Sequence, residues 1–180
     1  MRASSQILVV LLSLALATST AALGPVTVYG GVGFSRLTSP QEFKASYDNG
    51  VHYMIGLGFE MAPNVQLVPR YEHHSFSPKD RESRSKMNVS MFGADARLSF
   101  GPPGLGFKPV LLGGIGLATN EQESRLDGVP LDVTEKETDF YYDIGGGVEL
   151  RRVIFYIRYV SASVNGSAMN YLPFTIGFKF

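Results

Sequence analysis

Eight stretches of the chain alternate apolar and polar residues with a period of two, and the connections between them are long and short in strict turn. The last stretch is the clearest. Leu172, Phe174, Ile176, Phe178 and Phe180 hold one phase, and Tyr171, Thr175, Gly177 and Lys179 hold the other. That pattern is a β-strand with one apolar face. The other seven stretches are Val26–Ser35, Val51–Met61, Val65–His74, Met87–Phe100, Phe107–Ala118, Asp139–Leu150 and Val153–Ser161. Tight turns at Ala62–Asn64, Gly101–Gly106 and Arg151–Arg152 join three pairs of them, and polar loops at 36–50, 75–85, 120–138 and 162–170 join the rest. Connections that alternate in this way describe an antiparallel up-and-down barrel with both chain ends on one side. Pro69, inside the third strand, has no N–H for the ladder and predicts a bulge or a missing bond.

Residues 1–22 read as a cleaved signal peptide: Arg2 gives a positive start, Ile7 to Ala17 an apolar run, and Thr20-Ala21-Ala22 a small-residue cleavage site. The barrel domain is then 23–180. With no cysteine, disulfides do not hold the exported chain together, so it needs a real core or a closed sheet. Sixteen basic against sixteen acidic residues offer no nucleic-acid surface.

Alternation alone does not say which face points inward. A soluble lipocalin-like binder turns its apolar face in, whereas a membrane barrel turns it out to lipid. Three features favour the membrane. The polar phase carries Glu60, Glu72, Asp95, Asp143 and Glu149 against Arg70, Arg97, Lys108, Arg158 and Lys179, a balance that a narrow lumen needs because buried charges must be paired. Most strand glycines share that phase and leave room for long arginines and tyrosines. The apolar-phase aromatics fall into two bands: Phe59, Phe100, Phe107, Phe155, Phe178 and Phe180 at the short-turn end, and Phe34, Tyr53, Phe92, Phe140, Tyr142, Tyr159 and Phe174 toward the loops.

The Gly-rich strands Leu111–Leu117 and Ile144–Leu150, the stretch Val68-Pro69-Arg70-Tyr71 and the closing Phe180 resemble the small bacterial outer-membrane β-barrel family that includes the OmpA transmembrane domain and OmpX. The resemblance implies an all-β, eight-stranded transmembrane barrel in the outer membrane, monomeric and without a cofactor. Outer-membrane lipid and lipopolysaccharide would surround it. It also implies that the barrel-insertion machinery reads the terminal strand through Phe174, Ile176, Phe178 and Phe180.

Catalysis rests on one stretch, Arg70-Tyr71-Glu72-His73-His74-Ser75. His73 and Ser75 are similar to the His and Ser of outer-membrane lipid A deacylases, where the imidazole activates the hydroxyl against an ester. That family has Asn after the Ser, where this chain has Phe76, and no acidic match appears between Lys86 and Phe92. A metal site is not expected, because His73 and His74 point to opposite faces and His52 alone does not complete one. The expected protein is a non-enzymatic barrel with a structural or surface-interaction role, a charged, plugged lumen and charged loops such as Lys79, Asp80, Arg81, Glu82 and Arg84. The deacylase-like hydrolase and the soluble binder are the alternatives.

Overall fold

The computed structural model describes residues 26–79, 86–101, 106–125, 132–164 and 167–180. The expected signal peptide, the loop charges from Asp80 to Arg84 and residues 102–105 of the second turn lie outside the described residues.

The strands are β1 (Thr27–Ser39), β2 (Gly50–Ala62), β3 (Val65–Phe76), β4 (Lys86–Ser99), β5 (Phe107–Arg125), β6 (Asp132–Leu150), β7 (Val153–Val164) and β8 (Ser167–Lys179). Each pairs antiparallel with the next, and β8 closes on β1. At the seam Gly31 faces Gly177 and Ser35 faces Pro173. Val28 and Phe180 exchange both backbone hydrogen bonds at 2.9 Å, so the last residue is itself part of the ladder. Closure leaves no edge across the spanning part of the sheet, as a structure in lipid requires.

The apolar phase faces outward. Val51, Ile144, Ile115 and Val32 are the most exposed of its aliphatic residues, at 60–68 %, and both expected aromatic bands lie on this surface. The soluble-binder alternative is thereby corrected, since its apolar face would have to be the buried one. The inner phase leaves no ligand cavity of that kind, because charged residues, tyrosines and two apolar clusters already fill it around the strand glycines. Gly145 illustrates the fit: a Cβ there would sit 2.5 Å from Arg158 Cγ and 2.8 Å from its Cα.

Two loops differ from expectation. The segment 120–138 is mostly strand, with β5 and β6 pairing as far as Arg125 opposite Asp132. Residues 162–170 likewise belong almost entirely to β7 and β8, which pair to Val164 opposite Ser167. Their polar residues broke the apolar alternation, yet they pair across the strands. Thr119 and Thr138 share a hydroxyl hydrogen bond of 2.9 Å, and Lys136 Nζ meets Glu121 Oε1 at 2.5 Å. Between β1 and β2 lies one short helix, α1 (Gln41–Ser46), that no periodicity announced. Pro69 gives the expected gap: the β2–β3 ladder lapses between Gly56↔Arg70 and Phe59↔Leu67 while its register stays the same.

The interior is layered. At the loop end Leu37, Phe76, Met87, Val89, Met91, Ala118, Tyr141, Val160, Ala162, Met169 and Tyr171 form an apolar plug, with Phe43 and Tyr47 from α1 and the residue after it packed on top. Partial burial raises the Tyr47 phenol above its ordinary pKa. The charged layers lie beneath this plug.

Candidate functional site

The lumen collects most of the charges singled out in the sequence. Arg70 is the hub of the middle layer. Its Nε donates to Asp95 Oδ1 and Oδ2 at 2.9 and 2.7 Å, and its other nitrogens reach Glu72 and Asp143. Arg158 Nη2 donates to Glu72 Oε1 and Oε2 at 2.6 and 2.5 Å, and its Nη1 is 3.8 Å from Asp143. The Arg70 guanidinium also lies 5.7 Å from the Tyr141 ring centroid. All five charged groups are at most 4 % exposed. Stripping water from so many charges is costly, and shared, forked hydrogen bonds are what offset that cost.

A second charged layer lies toward the short-turn end. Arg97 pairs with Glu149 and donates to Gln66 Oε1 at 2.8 Å, Tyr156 donates to Glu149 Oε1 at 3.0 Å, and Lys179 Nζ reaches Glu149 Oε2 at 2.5 Å. Lys179 therefore enters the lumen from β8, as the phase of the closing strand requires. Between the layers Met54, Val68, Val110, Leu112 and Ile154 make an apolar girdle, and Met54, Val68 and Leu112 line a void of about 20 Å³ with Tyr29 and Tyr156. That is room for roughly one water molecule.

Glu60 and Lys108 stand apart from this network. Glu60 is exposed and Lys108 half-buried, and neither forms an ion pair among the described residues. Both line an open mouth of about 520 Å³ with Asn64, Ser99 and Arg152. Water solvates them there, so no partner is required.

The histidines separate by phase. His73 projects outward, where its Nδ1 is 3.0 Å from Ser90 Oγ and its ring packs 5.3 Å from Tyr53. Ser75 shares the outward phase but sits opposite Val51 and Asn88. His73 thus bonds to Ser90 rather than Ser75, and no carboxylate pairs with it among the described residues.

His74 points inward and meets a residue that had been set aside, His52. Both rings reach Ser35 Oγ through Nδ1, at 2.8 Å for His74 and 3.0 Å for His52. Glu72 Oε1 lies 3.1 Å from His74 Nε2 and 3.9 Å from His52 Nε2. The expectation that His52 stands alone is corrected here, because the β2–β3 register puts it directly opposite His74. The signal was in the sequence: both residues share the inward phase of one hairpin.

The profile of the outer membrane protein beta-barrel domain family matches residues 7–178. The chain belongs to that family. Among solved structures, this outer-membrane barrel is similar to Neisserial surface protein A, with 16 % identity and a TM-score of 0.63 over 88 % of this chain and 97 % of that one. It is similar to Ail, the attachment invasion locus protein of Yersinia pestis, with 10 % identity and a TM-score of 0.58 over 86 % and 97 %. The N-terminal barrel of Pseudomonas aeruginosa OprF aligns at 18 % identity and a TM-score of 0.51 over 88 % and 99 %. No curated protein sequence matches the chain. At these identities the structural likeness speaks for the fold alone.

Proposed function

We propose that this outer-membrane barrel is exported by the signal peptide of residues 1–22 and acts as a non-enzymatic, non-conducting surface protein that meets its partners through the loop-end hairpins. The observation that carries the reading is the filled lumen. An apolar plug under Phe43 and Tyr47, then the Arg70 layer, then the Arg97 layer, occupy the barrel in series. An eight-stranded barrel has an interior that side chains can fill, and ions find no continuous wet path through one so packed.

The surface role is supported by the β5–β6 hairpin. Beyond Tyr141↔Ala162 the strand β6 no longer pairs with β7, while its pairing with β5 continues to Asp132. One edge of residues 132–140 is thus outside the barrel ladder, and such an edge is a ready template for another chain. Lipopolysaccharide around the rim and the insertion machinery acting on the closing strand complete the expected set of partners.

In planar bilayers the folded protein is expected to show no steady unitary conductance, and unboiled samples to migrate differently from boiled ones. Recovery in the aqueous periplasmic fraction, or a stable open channel, would overturn the reading. For the hydrolase alternative, Ser75→Ala is expected to leave the lipid A acylation pattern unchanged, and a pattern that changes with this variant would revive it.

A further inference from the structure

We propose that His52, Glu72 and His74 form a structural site for one divalent transition-metal ion of the zinc class, buried beneath the apolar plug. Their donor atoms all lie within 4.8 Å of one another, and none of the three residues is more than 4 % exposed. Around a tetrahedral ion with ligands at about 2.0–2.2 Å, donors stand roughly 3.3–3.6 Å apart. The 3.1 Å and 3.9 Å separations to Glu72 Oε1 bracket that spacing.

The hydroxyl of Ser35 sets the imidazoles for this role. Its oxygen, with two lone pairs, can accept an Nδ1–H from each ring, the tautomer that leaves both Nε2 lone pairs free, with Glu72 Oε1 3.1 Å from that of His74 and 3.9 Å from that of His52. Metal-binding histidines are commonly fixed in this way, with the second ring nitrogen donating to a nearby oxygen. His74 Nε2 is fully buried and has no hydrogen-bond partner among the described residues, although a carboxylate oxygen lies 3.1 Å away. A proton or a metal ion between the imidazole and the carboxylate would satisfy both, and the metal ion is the one that also engages His52.

Charge points the same way. With neutral imidazoles, Arg70 and Arg158 face Glu72, Asp95 and Asp143, two cations against three anions, which leaves this layer one negative charge in excess. The two guanidiniums oppose a cation, so the affinity has to come from the imidazole nitrogens. That selects a nitrogen-binding transition metal over magnesium or calcium. Thr175 Oγ1, 2.9 Å from His52 Nε2, is the neighbouring group available to a fourth position. The ion would tie β2 and β3 together next to the β8–β1 seam in a chain that has no cysteine.

The test uses the protein purified from membranes in detergent, folded with Zn²⁺ or Co²⁺ and then freed of loose metal over a chelating resin. The expected result is one ion per barrel, with the visible absorption of nitrogen-ligated Co²⁺. His73→Gln, on the outer face, retains the ion, and His52→Gln and His74→Gln lose it. Ser35→Ala, which removes only the positioning hydroxyl, weakens binding about 10–100-fold. A folded parent protein without stoichiometric metal overturns the proposal, and so does equal metal content in His52→Gln and His74→Gln. Should those variants not fold, Co²⁺ binding by the parent and its weakening by about 10–100-fold in Ser35→Ala decide the matter, and unchanged binding in Ser35→Ala overturns the proposal. Neither outcome bears on the surface role proposed above.

Discussion

His52 and His74 stand directly opposite each other across the β2–β3 hairpin, their ring centroids 5.0 Å apart and their Nδ1 atoms on one Ser35 hydroxyl. The contact joins three adjacent strands inside the barrel, and Glu72 ties it to the arginine layer below. His73, one residue along, belongs to the outer surface and shares none of these partners. A period of two turns neighbours in sequence into occupants of different solvents.

Because Glu72 serves both arginines, its removal should be costly. Among the described residues, Glu72→Met leaves Arg158 with no carboxylate closer than Asp143 at 3.8 Å. An expected loss of about 3–5 kcal/mol follows from stranding a buried charge. Urea unfolding from lipid vesicles with a chelator present measures the ion-pair effect alone. The double variant Glu72→Met/Arg158→Met should lose less than the single one, since no stranded guanidinium remains at that position. A double variant at least as unstable as Glu72→Met would count against the pairing.

Glycines on the two faces should respond differently. At Gly145 an added methyl meets Arg158, whereas at Gly113 its nearest neighbour is Asp143 O at 3.9 Å. Gly145→Ala is expected to destabilise the folded barrel by about 1–3 kcal/mol through overpacking, with Gly113→Ala close to neutral. The difference between their unfolding midpoints is the quantity to compare.

What could be read from the sequence, and what could not, follows from the same geometry. Alternation puts Arg70, Glu72, Asp95, Asp143, Arg158 and Lys179 in one phase because a strand has only two faces. It does not say that Arg70 meets Asp143, since that contact spans the lumen between strands that are not neighbours. Met87, Val89 and Met91 share the charged phase yet belong to the apolar plug, so the inner face changes character along its length. Residues 120–125 and 132–138 looked like loop because polar residues occupy both phases, and cross-strand pairing holds them as strand instead. The His52–His74 contact was within reach of the sequence, needing only that the turn at 62–64 be used to set the register. Helix α1 was not, because its packing on the plug is tertiary.

The outward phase can be tested with one charge. Ile144 is 64 % exposed on the outer face, between Gly113 and Tyr159 on the neighbouring strands. Ile144→Arg puts a guanidinium on the lipid-facing surface away from the short turn, at an expected cost of up to about 2–4 kcal/mol. The same change at exposed Met61, beside the short turn, should cost at most about 1 kcal/mol, because its charge can reach the interface. Equal effects at the two positions would contradict a lipid-facing surface in which Ile144 lies deeper than Met61.

The closing strand separates stability from assembly. The backbone of Phe180 is held to Val28 by two hydrogen bonds that do not depend on its side chain, while the ring is 74 % exposed on the outer face. Phe180→Ala should therefore fold into vesicles as before, losing at most about 1–2 kcal/mol of apolar contact with lipid. On the proposal that the insertion machinery reads this strand, assembly in cells should fall much further. Comparing the folded fraction in cell envelopes with the yield of unassisted refolding isolates that step. If both decline in proportion, Phe180 acts only through lipid contact.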